Sequence, residues 1–359
     1  MHNTPHLVVS VSGHGFGHVA QTAPILNALY QHIPQLRLTV RSSVPISHLR
    51  SRIHVPFDHL PSEGDIGMVM SSSIDVRVEE SRTAYWDFHF DWDTRIVNEA
   101  RLLRELKADL ILSNVGYLPL AGARRANIPN VALCSLNWAD IYQHYCGEDG
   151  ISAQIHDCYA NADAFLRATP GMAMTNLANL VPVAPIAAVG ENRRDALNRK
   201  LHLSRDEKLV LISMGGITSR LPIETWPKIE GVRWLVQQSW QIAHPDAIIL
   251  ESLQMDFNDL LASSDALLCK PGYGSFVEAA CYGTPVLYVS RADWPESPAL
   301  ITWLQQHGRC CEITPDDLKQ GKIAAALKEI LNAAPPEPFI STGAEQVASL
   351  LADMLANQI

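Results

Sequence analysis

The chain has 359 residues, 28 Lys and Arg against 38 Asp and Glu, a formal net charge of −10 and 47% apolar residues. That length exceeds what one hydrophobic core usually spans, so two domains are expected, and the acidic balance argues against a protein held to nucleic acid by phosphate contacts. No apolar run approaches the roughly 20 residues of a membrane span. No basic leader with a cleavage site precedes the first apolar run, and the seven cysteines include no C-x-x-C pair, which together lead to the expectation of a cytoplasmic protein with reduced thiols.

The first apolar run, LVVSVSGHG (7–15), reads as a strand followed by a helix through Ala20–His32, and RLTVRSS (37–43) as a second strand. A helix with its charges outside is expected at about 93–106, then the strand DLILSNVG (109–116), a helix near 118–126 and the strand NVALCSL (130–136). Short apolar strands alternating with helices imply βαβ units and a parallel sheet. The Pro-, Asn- and Ala-rich segment 168–208 breaks the rhythm, with a linker near Val183–Gly190 and a polar helix at about 191–201. The rhythm then resumes in KLVLISMGG (208–216), VRWLVQQ (232–238), DAIILES (246–252), DALLCKPG (265–272) and TPVLYVSR (284–291), a second parallel sheet. Residues 342–359 form a helical pattern with Val347, Leu350, Leu351, Met354 and Leu355 on one stripe.

Two α/β domains imply a cleft, and in open parallel sheets ligands bind beyond the carboxyl ends of the strands. The loops after strands are therefore where chemistry is expected. The first holds Gly13, Gly15 and Gly17, which let the backbone pass close to a ligand, with His14 and His18 beside them. It matches neither G-x-G-x-x-G nor a P-loop. Each histidine either takes a proton from an alcohol or simply anchors backbone. Gly215-Gly216, followed by residues 217–219 and Arg220, suits a phosphate or sugar, or else a plain tight turn.

The third loop runs Lys270-Pro271-Gly272, and Gly274-Ser275 then open a helix that ends at Gly283. Free N–H groups and the helix dipole at such an opening favour a pyrophosphate. Ser275 is placed to cap that helix. Glu278, one turn in, either accepts from ribose hydroxyls or only answers the dipole. In S-R-A-D-W-P-E-S (290–297), Asp293 and Glu296 are placed to accept from sugar hydroxyls and Trp294 to stack on a sugar face; the alternative is a solvated loop with an anchoring Trp.

The block 265–289 resembles the donor-site signature of GT-B glycosyltransferases, a fold of two Rossmann-like, doubly wound parallel-sheet α/β domains facing a cleft. It is similar to the bacterial family that adds N-acetylglucosamine to make lipid II, which also carries a glycine-rich loop ending in His. The N-terminal half resembles the glycosyltransferase-like domain of plant L-arabinokinases through V-S-G-H-G-F-G-H, K-A-D-L-I-L-S-N and S-L-N-W-A-D-I-Y (135–142). These resemblances imply an acceptor domain at 1–186, a donor domain at 187–339, and a helix at 340–359 returning to the first. They imply a sugar moved with inversion from a nucleotide diphosphate, a UDP-sugar first among them, to a hydroxyl acceptor whose identity the sequence does not give. A nucleotide-sugar hydrolase, a 2-epimerase and a non-catalytic nucleotide-sugar-binding protein are the alternatives.

Residue by residue, the resemblance makes His18 the base, beside His14 and the acceptor loop of Gly13, Gly15, Gly17 and Asn114. Gly215, Gly216, Gly272, Gly274 and Ser275 would cradle the pyrophosphate and Glu278 the ribose. The backbone of Leu250, Glu251 and Ser252 would read the base, and Asp293 and Glu296 would hold the sugar. Lys270 and Arg220 would neutralise the leaving diphosphate without a metal or other cofactor. One departure is Asn114, an amide where similar domains have Asp; Asp140 is the proposed substitute. The aromatic run Tyr85, Trp86, Phe88, Phe90 and Trp92 either stacks on an acceptor or packs inside.

Overall fold

The apolar runs become two all-parallel sheets in the computed structural model, which describes residues 4–357 except 73, 217–219, 292 and 335. Residues 217–219 of the second glycine loop and 358–359 of the expected final helix thus lie outside the described residues. The chain divides into two units. One gathers the chain up to Ser71, Asp75–Ile186 and the stretch from Ser341 onward; the other is Ala187–Ile340 with a short piece, Ser72–Ile74.

The first unit holds β1 (His6–Val11), β2 (Arg37–Arg41), β3 (Asp58–Leu60), β4 (Leu110–Asn114), β5 (Asn130–Cys134), β6 (Ala164–Ala168) and β7 (Leu180–Val183). They form a seven-stranded sheet in the order β3-β2-β1-β4-β5-β6-β7. Every residue of β1, β4 and β5 is buried, which is why these strands read as unbroken apolar runs: a parallel sheet is covered on both faces. The second unit holds β8 (Lys208–Ser213), β9 (Val232–Val236), β10 (Ala247–Ile249), β11 (Ala266–Cys269), β12 (Val286–Val289) and β13 (Cys310–Ile313). Its six strands run β10-β9-β8-β11-β12-β13. Each order reverses once, at β1/β4 and at β8/β11. In register, Val11 lies beside Asn114 and Ser213 beside Cys269, so the two loops at each reversal start level with each other.

Several elements differ from the sequence reading, and β3, β6, β7 and β13 are not among the strands it expects. The first helix is Gly17–His32, so His18 stands in its opening turn. A helix, Val78–Phe90, occupies a stretch to which the sequence reading assigns no element. It buries Ser81, Tyr85, Phe88 and His89, an i, i+4, i+7, i+8 stripe too narrow to stand out among its acids. DAIILES ends early, at Ile249, and turns into a 3-10 helix, Leu250–Leu253. The aromatic run divides: Tyr85, Phe88 and Trp92 are buried, whereas Trp86 is 58% and Phe90 70% exposed. No helix among the described residues is long and apolar enough to cross a membrane.

The helix Gly343–Ala356 buries Val347, Ala348, Leu351 and Leu355 and packs on Gly17–His32 in the first unit. It is pinned at its start, where the Gly343 N–H donates to Pro185 O at 2.9 Å and the Ala184 N–H to Gln346 Oε1 at 2.8 Å.

The first unit also buries an ion pair. Arg41, ending β2, donates to both carboxylate oxygens of Glu99, which lies on the helix Trp92–Leu106. Gly122 makes the room, since a Cβ there would sit 2.3 Å from Glu99 Cγ. Removing one member of such a pair strands a buried charge and costs about 3–5 kcal/mol, whereas replacing both with apolar groups is often near neutral. Arg41→Met or Glu99→Leu alone is therefore expected to lower the urea midpoint sharply, and the double substitution to recover most of the loss.

Candidate functional site

At the β1/β4 reversal the first glycine loop meets the end of β4, where the Ser12 N–H donates to Asn114 O at 2.7 Å. The Asn114 side chain then organises the opening turn of the helix Gly17–His32. Its Nδ2 donates toward Thr22 Oγ1 at 3.0 Å, Gln21 Oε1 at 3.1 Å and His18 O at 3.3 Å. Gln21 in turn donates its Nε2–H to Ser135 Oγ at 2.7 Å. With acceptors on that side, the amide oxygen must face the imidazole, 2.9 Å from His18 Nδ1. Nδ1 therefore carries the proton and Nε2 the lone pair. Burial pushes the His18 pKa down to about 4, opposed by the Asn114 hydrogen bond, so the ring is neutral at pH 7.

His14 is anchored through Nε2–H to Met68 O at 3.0 Å. Its ring meets Trp138 edge-on at 5.0 Å, and His18 lies 6.1 Å from the same indole. The sequence reading missed the acid that completes this group. Asp65, in the loop after β3, accepts from Ser12 Oγ at 3.0 Å and from Trp138 Nε1 at 2.7 Å. Burial pushes its pKa up to about 6, against the pull of those two hydrogen bonds. Asp140 is not brought to His18: it accepts from Asn137 Nδ2 at 2.9 Å and Asn176 Nδ2 at 3.3 Å, in the first turn of the helix Trp138–Cys146.

In the second unit the β8/β11 reversal brings Gly215 and Lys270 together: a Cβ on Gly215 would lie 3.2 Å from Lys270 Cε. Lys270 keeps some contact with solvent, yet the protein around it lowers its pKa to about 8. Desolvation is the largest cause and the neighbouring Arg291 cation the next, with Glu296 opposing them. Arg291, which the sequence reading passed over, is buried with its guanidinium 4.0 Å above the Trp294 ring. Trp294 Nε1 donates to Glu296 Oε2 at 3.2 Å. The helix Tyr273–Tyr282 opens beside Lys270 with Gly272 rather than Ser275 at its N-cap, and a glycine has no side chain to cap it. Gly274 is buried in its first turn. Further along, Glu278 is buried and accepts from Asn258 Nδ2 at 3.2 Å.

The other candidates of this unit have partners of their own. Arg220 donates from Nε to Trp240 O at 2.8 Å and pairs with Glu224 at 2.8 Å. Glu251 accepts from the Gln238 N–H at 2.9 Å, and Ser252 donates to Ile249 O at 2.6 Å. Gly216 and Asp293 are exposed. Among the described residues no group of His, Cys, Asp and Glu is arranged to hold a metal ion.

No protein-family model matches the chain. It is 24% identical over 359 residues to an L-arabinokinase of Arabidopsis thaliana, covering 97% of this chain and 34% of that protein. It is 27% identical over 175 residues to an uncharacterised glycosyltransferase of Methanopyrus kandleri, covering 45% of this chain and 50% of that one. The match thus spans only a third to a half of these relatives' length. Among solved structures, Arabidopsis UGT89C1 superposes with a TM-score of 0.59 at 15% identity, covering 99% of this chain and 100% of that one; it is also known complexed with UDP. A Listeria monocytogenes protein described as a UDP-N-acetylglucosamine 2-epimerase gives 0.58 at 14% identity, covering 99% and 97%. The lipid II-forming family is not singled out by these likenesses. The two parallel-sheet units, with their strand orders and these neighbours, are those of the GT-B glycosyltransferase fold.

Proposed function

We propose that the protein transfers a sugar from a nucleotide diphosphate, a UDP-sugar first among the candidates, to a hydroxyl acceptor, with inversion at the anomeric carbon. The observation that carries this reading is the mouth of the helix Tyr273–Tyr282, which has a glycine at its N-cap and opens beside Lys270 and Gly215, with Arg291 close enough to depress the lysine. Two neighbouring cations repel each other, and a bound diphosphate relieves that repulsion. In the reaction His18 Nε2 takes the acceptor's hydroxyl proton. The acceptor oxygen bonds to the anomeric carbon as the bond from that carbon to the diphosphate breaks, and the diphosphate departs with the electron pair. Lys270, Arg291 and the helix N–H groups take up the charge that develops on it. Glu278 holds the ribose, Glu296 and Asp293 the sugar, and the Leu250–Ser252 backbone the base.

One observation favours a second reading. Asn114 gives His18 no charge, and burial leaves its pKa near 4, weak for a base working at neutral pH. The same residues would then act with water as a hydrolase or on the sugar itself as a 2-epimerase, or bind without turnover. Free sugar formed without an added acceptor identifies the hydrolase, and a changed sugar configuration the epimerase.

A panel of UDP-, GDP- and dTDP-sugars tests the donor site by thermal shift. At 100 times Kd a ligand adds about 2.7 kcal/mol, which is a rise of about 5–10 °C for units of this size. Lys270→Ala and Glu278→Ala are expected to abolish the rise, and no shift with any of the three classes would count decisively against the reading.

The buried imidazole also sets a pH dependence. His18 takes a proton below about pH 6.5 when unfolded but only near 4 when folded. Its contribution is therefore complete above pH 6.5 and is lost as the pH falls toward 4, by about 3 kcal/mol in all. His48, held near 4 by burial and by Arg52, acts in the same direction. Asp65, raised to about 6, acts oppositely and gains stability as the pH falls. The His18→Gln variant is expected to lose about 2–3 kcal/mol less than the wild type between pH 7 and 4.5, read from urea midpoints at the two values.

A further inference from the structure

The reaction so described gives no part to Asp65. Asp65 is 8% exposed, and its described partners are two neutral donors, the Ser12 hydroxyl and the Trp138 indole. A carboxylate buried with no cation beside it costs stability, and such groups cluster where chemistry is done. Both donors lead to histidines. Ser12 Oγ also accepts the His14 N–H at 3.2 Å, and the Trp138 ring lies against His14 and His18. The loop that carries Asp65 is itself moulded to His14. Gly67 has φ +62, and a Cβ there would sit 2.7 Å from the His14 ring, while Met68 O receives the Nε2 proton. At the other end of the group, the His18 ring meets the Asn114 amide at 2.9 Å and Cys134 Sγ at 3.7 Å, and no carboxylate is among its described partners.

We propose that Asp65 is the positioning residue of the first-unit site: its carboxylate fixes Trp138 and the Ser12–His14 turn around His18. The consequence for turnover rests on the transferase reading; the two hydrogen bonds do not.

The titratable groups around Asp65 are Glu63 in its own loop, His14 and His18, and Tyr85, Tyr117 and Tyr159 from three helices. Glu63 raises the Asp65 pKa. Burial and the Asp65 charge both raise the three tyrosines, which stay neutral. Asp65 near 6 and His18 near 4 therefore give distinct signatures. If Asp65 governs the site, kcat/KM falls on the acid side with a midpoint near pH 6; if His18 acts without it, activity stays level down to about pH 4.5.

The test uses UDP release from UDP-glucose or UDP-N-acetylglucosamine, whichever stabilises the full chain. In Asp65→Asn, kcat is expected to fall about 10²-fold, the scale of a misplaced catalytic group. The donor KM should stay within about twofold and the limb near pH 6 should vanish. A surviving limb, or a kcat within threefold of wild type, overturns the proposal. Should Asp65→Asn fail to melt cooperatively, Trp138→Phe carries the same kinetic test, with the same loss of the limb expected. A second readout needs no turnover. The indole N–H resonance of Trp138, assigned by its absence in Trp138→Phe, should titrate with a midpoint near pH 6. A resonance unmoved between pH 5 and 8 overturns the proposal even if every nucleotide-sugar fails to bind, an outcome that by itself removes only the transferase reading.

Discussion

Both sheets are wholly parallel, and from that constraint the rest of the architecture follows. Parallel neighbours cannot be joined by tight turns, so each connection crosses a face of the sheet, and the strands are buried on both sides. A strand order that reverses once then leaves a single place where successive connections depart in opposite directions. Here those places are the ends of β1 and β4 and of β8 and β11. At one, the Asn114 amide and the His18 imidazole share a hydrogen bond. At the other, Gly215 and Lys270 nearly touch.

The two places solve opposite electrostatic problems. In the first unit, burial strips the imidazole of its proton and lets a carboxylate keep its own up to about pH 6. In the second, desolvation and then Arg291 lower the Lys270 pKa to about 8. Each departure costs folding free energy, and in a chain of net charge −10 the second is notable. The overall field repels an anion, so the proposed donor has to be held by a few cations and a helix mouth acting at short range.

What could be read from the sequence was what depends on neighbours in sequence. The strands showed as continuous apolar runs, and the loops after them showed as glycines with His18 or Lys270 at fixed offsets. The helix Val78–Phe90 did not show, because Glu79, Glu80 and Asp87 interrupt its narrow buried stripe. Asp65 was one acid in a polar loop. Only the fold brings it against Trp138, 73 positions away. Arg291 was hidden in the same manner beside Asp293 and Trp294, since its effect on Lys270 crosses from the end of β12 to the end of β11. Asp140, offered as the substitute for a strand-end acid, takes its described side-chain partners elsewhere. In the helix Trp138–Cys146 its carboxylate serves Asn137 and Asn176.

The helix Gly343–Ala356 belongs to the unit in which the chain starts, yet the whole of Ala187–Ile340 is synthesised before it. On a ribosome, the second unit can therefore leave the exit tunnel and collapse while the first still lacks the element that covers Gly17–His32. The apolar face of that first helix must wait in water through the making of some 150 residues. During that interval the nascent chain exposes apolar surface that the finished protein covers with Gly343–Ala356.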